Sequence, residues 1–250
     1  MFRVIPILTM IEGSLVKTKA FKSPRYIGDP INALKIFNDK EVDEAALLDI
    51  RASQNKTGID LALVSDVVSG AFMPVAYGGG VKSVEQMHAL FSCGVEKVIL
   101  SAAAALDDVL VREAVDTFGS QSVVVCLDFR KNRFATGYAL RTADGDRGIK
   151  SVESEIKRIS DAGAGEVLVS SVRADGTLAG IDKGLLADAK HLKNIPLVYV
   201  GGTSCEQDIL RVADSGFSGI GVGALFVFKG PRNAVLISYS NPLIGQEVEY

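Results

Sequence analysis

Two halves of this chain repeat one another, and the repetition restricts the fold more than any other feature of the sequence. VDEAALLDIRAS, PVAYGGGVKS and GVEKVILSAAA are followed, at a shift of roughly 120 residues, by AGEVLVSSVRADG, PLVYVGGTSC and GFSGIGVGALF in the same order. Each block joins a short run rich in Val, Ile and Leu to a small or polar turn. Such runs read as parallel strands buried on both faces. They fall near Val4–Thr9, Glu44–Asp49, Pro74–Tyr77, Lys97–Leu100, Ser122–Asp128, Glu166–Ser170, Leu197–Val200 and Gly219–Val222. Helical segments lie between them. Asp29–Lys40 opens on a capping Asp followed by Pro, and Ser83–Gly94 opens on the Ser83 to Gln86 capping-box spacing. Eight strand–helix units predict an α/β fold, a (β/α)8 barrel closed from two half-barrels. An open doubly wound sheet is the alternative, but no turn carries the spaced dinucleotide glycines in the right place.

At 250 residues, 48% hydrophobic and 23% charged, the chain is expected to form one barrel domain over residues 1–250. A net charge of −3, with no long Lys/Arg run, argues against nucleic acid. No apolar stretch approaches the roughly 20 residues that span a bilayer, and MFRVIPILTMIEG lacks a signal-peptide pattern, so a cytoplasmic protein off the membrane is expected. Cys93, Cys126 and Cys205 read as reduced, buried thiols, and His88 and His191 as surface or packing residues. No His/Cys/acid cluster has ligand spacing, so no metal and no organic cofactor is expected.

In each half a buried strand runs straight into glycines: Gly78, Gly79 and Gly80 in the first, Gly201 and Gly202 in the second. The next strand ends in Ser101 and Ala102 in one half and in Gly223 and Ala224 in the other. Small residues let amide N–H groups approach an anion, and a helix N-terminus adds a favourable dipole. With Gly176, these positions predict two phosphate sites for a phosphorylated small molecule, although any single cluster is equally a tight turn. Asp128 ends the fifth strand and Asp49 the second, both toward the face where such barrels do chemistry. Asp128 is the stronger acid–base candidate; a strand-end acid that only caps a loop is the plainer reading of either. Aligning VIPILTM with VVVCLDF places Thr9 opposite Asp128, and threonine cannot act as a carboxylate base or acid. At the other end Arg3, Glu44, Lys97 and Glu166 stand at strand starts, two cations against two anions. Spacing alone favours ordinary solvated charges there over a closed ring.

The stretches GDPINAL, LLDIRAS, YGGGVKS, EKVILSAAA, TFGSQSVVVCLD, AGAGEVLVSS, ADGT and GVGALF resemble the HisF family, the cyclase subunit of imidazole glycerol phosphate synthase, over essentially the whole chain. The resemblance implies a barrel that takes ammonia from a separate HisH-type glutaminase and uses it on a bisphosphate substrate. It implies that Arg3, Glu44, Lys97 and Glu166 form an ammonia gate and that Lys17 lies on the first active-site loop; Asp49, Ser170 and Asp175 join Lys17 as candidates for the substrate loops. Family chemistry uses two acids; here Thr9 replaces one and Asp128 keeps the other. Ser101 and Ala102 stand where Asn-Thr is typical, Val200 stands where serine is usual, and RKNRFATGYALRTADGDRG departs from the family loop. The favoured expectation is therefore an ammonia-delivering subunit that works with a sugar amidotransferase in forming acetamidino groups on surface polysaccharide. A true histidine-pathway cyclase and a non-catalytic activator of a glutaminase are the other readings.

Overall fold

Each of the eight apolar runs forms a strand in the computed structural model, which describes residues 1–52, 58–101, 108–133, 136–142, 145–192 and 194–243. The strands are β1 (Arg3–Ile11), β2 (Ala45–Asp49), β3 (Val75–Gly78), β4 (Lys97–Leu100), β5 (Val123–Lys131), β6 (Glu166–Ser171), β7 (Leu197–Val200) and β8 (Gly219–Val222). Each pairs in parallel with the next, and β8 returns to β1, with Arg3 opposite Gly219 and Pro6 opposite Val222. This closure excludes the open sheet. It also explains the continuous apolar runs, since both faces of every strand are covered.

Period-two alternation sorts the side chains into two cores. Ile5, Ile7, Ala46, Ala76, Ile99, Val124, Leu168 and Val198 fill the barrel axis. The intervening residues, Val4, Leu8, Met10, Leu47, Tyr77, Phe129 and Tyr199 among them, pack outward against the helices. Those helices are α1 (Pro30–Asp39), α2 (Leu61–Ser69), α3 (Val84–Ser92), α4 (Asp108–Phe118), α5 (Val152–Asp161), α6 (Lys183–Ala189) and α7 (Glu206–Asp214). Asp29, Asp60, Ser83, Ser151 and Asp182 cap five of them by accepting from first-turn amides.

The eighth strand is not followed by a helix among the described residues, which corrects the expectation of eight strand–helix units. A 3-10 turn at Ala224–Phe226 and an antiparallel pair, Phe228–Lys229 with Ala234–Val235, take its place. Gly230, Pro231 and Pro242 interrupt any helical run there, and Tyr239 packs on Phe226 at 5.1 Å between ring centroids. β1 and β5 also extend beyond their predicted ends into antiparallel hairpins, Ser14–Lys19 with Lys22–Gly28 and Tyr138–Thr142 with Gly145–Gly148. The two half-barrels therefore carry the same insertion on corresponding strands. The Ser83 capping box forms only in part: Ser83 accepts from the Gln86 amide, but Gln86 reaches back to Lys82. A reciprocal box forms instead between Ser151 and Ser154.

The thiols are free; Cys93 and Cys126 are half-buried, and Cys205, exposed at the start of α7, departs from the expected burial. His88 lies edge-on to Phe118 at 4.6 Å.

Candidate active site

Alternate residues of the strands join the two ends of the barrel. On β1 the inward positions are Arg3, Ile5, Ile7 and Thr9; on β5 they are Val124, Cys126 and Asp128; on β6 they are Glu166, Leu168 and Ser170. At the strand-start end the four expected charges close a ring. Arg3 meets Glu44 at 2.7 Å and also Glu166, while Lys97 meets Glu44 at 2.8 Å and Glu166 at 3.6 Å. Both glutamates are buried and both cations are about a quarter exposed, so each carboxylate faces two cations instead of water.

At the opposite end Asp128 sits beside its register partner Ser170, which hydrogen-bonds it, and Cys126, whose thiol donates at 3.7 Å. Burial pushes the Asp128 carboxyl up to about 6, against the pull of those two donors. Burial likewise raises the Cys126 thiol, with Asp128 adding to the effect. A carboxyl held near neutrality is suited to proton transfer. Thr9 lies on β1, across the barrel from β5, and its hydroxyl donates to the carbonyl of Val16 in the adjoining hairpin.

That hairpin folds over the strand ends and brings several predicted residues together. Lys17, Asp175, Gly176, Gly201, Gly202, Gly223 and Ala224 line one cleft with Thr9, Thr18, Leu178, Val200 and Thr203. The hairpin docks through the amide of Ala20, which donates to the carbonyl of Asp175 at 2.8 Å, and the hydroxyl of Thr18, which donates to the Asp175 carboxylate at 3.3 Å. Gly176, at φ +65°, allows this approach because a Cβ there would overlap the carbonyl oxygen of Thr18. Lys17 is buried with its ammonium donating to the carbonyl of Ile7 at 2.5 Å. Burial lowers it to about 8, and Asp175 opposes that shift.

Other predicted residues stand apart from this cleft. Asp49 has the opposite strand parity to the inward residues Ala46 and Leu48, and its carboxylate accepts from the amides of Arg51 and Ala52. Gly79 and Gly80 pack against that same Asp49–Ala52 turn. Ser101 is exposed at the end of β4, and Ala102 lies outside the described residues. The first-half glycines are thus described mainly by their turn, and the second-half glycines by a cleft.

Sequence reasoning did not single out Thr203 or the β5 hairpin cations. Arg130 and Arg141 share Asp146 at 3.0 and 3.3 Å, and Arg141 acts electrostatically on Asp128. The available signal was the inward parity of Arg130, two residues beyond Asp128. Among the described residues no group of three His, Cys, Asp or Glu side chains is arranged to hold a metal, and no helix is long and apolar enough to cross a membrane.

The family model described as "Histidine biosynthesis protein" matches residues 3–231. The protein named "Putative imidazole glycerol phosphate synthase subunit hisF3" from Vibrio vulnificus (strain YJ016) is 42% identical over 243 residues, 96% of this chain and 93% of its own length. The "Putative imidazole glycerol phosphate synthase subunit hisF2" of Pseudomonas aeruginosa is 42% identical over 239 residues, 95% of each chain. "Imidazole glycerol phosphate synthase subunit HisF" of Clostridium botulinum is 34% identical over 224 residues, 89% of this chain and 88% of its own. With a closed barrel, a charged ring at one end and a half-buried acid at the other, and with these likenesses over nearly its whole length, this chain belongs to the HisF family.

Proposed function

We propose that this chain is the ammonia-conducting, cyclase-like subunit of a glutamine amidotransferase complex whose acceptor chemistry has moved away from imidazole ring formation. A HisH-type glutaminase docks beneath Arg3, Glu44, Lys97 and Glu166, and the ring gates ammonia into the barrel axis. The acceptor is a surface-polysaccharide sugar that a sugar amidotransferase activates and that gains an acetamidino group. The cleft around Gly176, Gly201, Gly202, Gly223 and Ala224, with Lys17, binds a phosphate of a small-molecule ligand. Gly78, Gly79, Gly80, Ser101 and Ala102 form its counterpart in the first half.

The observation that carries this reading is the contrast between the two ends. The ring is complete, whereas Thr9 stands where the family has an acid and spends its hydroxyl on the Val16 carbonyl. A group engaged in this way is neither carboxylate nor free donor, so Asp128 works without an opposed acid.

The experiment is turnover of the ribosyl-aminoimidazole bisphosphate substrate with saturating ammonium, which bypasses the glutaminase. We expect little turnover by the natural chain and a measurable gain in Thr9→Asp. Substantial turnover by the natural chain would overturn the reassignment. It would favour the second reading, a lyase-class cyclase of histidine biosynthesis, which draws its support from Asp128 with its raised pKa and its Ser170 partner. Sugar amidination that runs equally well without this chain would overturn the delivery role.

A further inference from the structure

Three threonines line the cleft beside β1, β7 and β8, and two have their hydroxyls committed: Thr9 to the Val16 carbonyl, Thr18 to the Asp175 carboxylate. The third, Thr203, is 5% exposed, and its hydroxyl oxygen is buried with no hydrogen-bond partner among the described residues. A buried hydroxyl without a partner is costly, and a valine would fill the same volume without that cost. Most of the polar groups around it are donors, which favours an acceptor as its partner. The amides of Gly202, Thr203 and Ala224 also donate to nothing among the described residues, and the Lys17 ammonium lies within van der Waals reach of Gly223. Asp208 on α7 is held outside the cleft lining, accepting from the amide and hydroxyl of Ser204 and pairing with Arg211 at 3.0 Å. The cleft thus offers donors and a cation, and the carboxylate among its lining residues, Asp175, is already engaged, accepting from the Thr18 hydroxyl and facing the Lys17 charge.

We infer that Thr203 is a ligand-binding residue of this cleft, its hydroxyl donating to a phosphoryl oxygen and setting the preference of the second-half site for phosphorylated small molecules. The inference rests on the reading of the cleft as a phosphate site. A phosphate dianion supplies several strong acceptor oxygens at once, which suits a set of amides, one hydroxyl and one ammonium better than a planar carboxylate does.

The test is calorimetric titration of the full chain with inorganic phosphate, with melting temperatures measured free of phosphate, for the natural chain, Thr203→Val and Thr203→Ser. A hydrogen bond to a charged group is worth about tenfold or more in affinity. Thr203→Val is therefore expected to bind phosphate about tenfold more weakly, and to melt about 2–4 °C higher without ligand, because the orphaned hydroxyl is gone. Thr203→Ser should keep affinity within about threefold, since it keeps the donor. Equal affinity in the natural chain and Thr203→Val would overturn the inference and leave the cleft intact as a phosphate site. Weakened binding together with a lower melting temperature would assign Thr203 to packing and overturn it as well. No phosphate uptake by the natural chain would instead sink the reading of the cleft, and the role of Thr203 with it.

Discussion

Lys17 donates to the main-chain carbonyl of Ile7 at 2.5 Å, and its ammonium occupies the space that a Cβ on residue 223 would need, 2.8 Å from that position. The contact joins the first hairpin to the ends of β1 and β8. It holds a cation in the cleft at a cost, because burial lowers the Lys17 pKa to about 8 from 10.5.

Lys17→Met is accordingly expected to stabilise the fold while weakening anion binding. Between the folded and unfolded pKa values the unfolded chain binds more protons, so the stability of the natural chain rises as pH climbs from about 8 toward 10.5. Below about 8 the penalty is fully present, up to roughly 3 kcal/mol at 1.36 kcal/mol per unit. Urea unfolding at pH 7 and pH 10 should show an advantage for Lys17→Met that shrinks at the higher pH. An advantage that does not change with pH would mean that the ammonium is solvated.

Asp128 makes the complementary case. Its pKa is raised from 3.8 to about 6 mainly by burial, so the folded chain binds more protons across that window and stability falls as pH rises through it. The cost is complete above about pH 6 and amounts to at most roughly 3 kcal/mol. Asp128→Asn should be about 2–3 kcal/mol more stable than the natural chain at pH 7.5, equal to it near pH 3.5, and inactive in any reaction that needs a proton moved at this position. A destabilised Asp128→Asn at pH 7.5 would show that the carboxylate serves to hold β5 and β6 together.

The barrel was legible because β-strands buried on both faces leave a signal that depends only on residue type: VIPIL, VVVCL and VLV have no polar face to confuse the reading. The repeat then supplied the closure. The hairpins after β1 and β5 were not legible, since KTKAFKSPRY and RKNRFATGYALRT are polar and lack clean alternation; tertiary docking, such as Ala20 on Asp175, fixes them. That no helix follows β8 among the described residues had a visible cause in Gly230, Pro231 and Pro242, but the strength of the repeat masked it. In the site, the glycines and Asp128 could be found by position in a motif. Thr203 could not, because its interest lies in a hydrogen bond that is not made, and sequence carries no record of satisfied or orphaned groups.

Gly176 tests the docking of the first hairpin. At φ +65°, with its Cβ position overlapping the Thr18 carbonyl oxygen, Gly176→Ala cannot be accommodated unless the hairpin lifts. The strained backbone alone costs about 1–2 kcal/mol, and the lost Ala20 and Thr18 contacts add to it. Proteolysis should then cut between Lys17 and Arg25 faster than in the natural chain while the barrel stays folded by circular dichroism. Unchanged cleavage would show that this contact does not hold the hairpin.

The ring of Arg3, Glu44, Lys97 and Glu166 yields the prediction that separates architecture from transport. Each glutamate is shared by two cations, so removing one cation leaves both carboxylates with a single partner and still in place. Breaking a buried pair costs about 3–5 kcal/mol, but Lys97 is about a fifth exposed and water can partly replace it. Lys97→Met should therefore lose about 1–3 kcal/mol of stability by urea unfolding, a loss the barrel can survive. If the ring gates ammonia, this variant assembled with its glutaminase should lose the coupling of glutamine consumption to product, releasing free ammonia. Product formation driven by external ammonium should be unchanged. Equal losses in the glutamine-driven and ammonium-driven reactions would make the ring a structural clamp and nothing more.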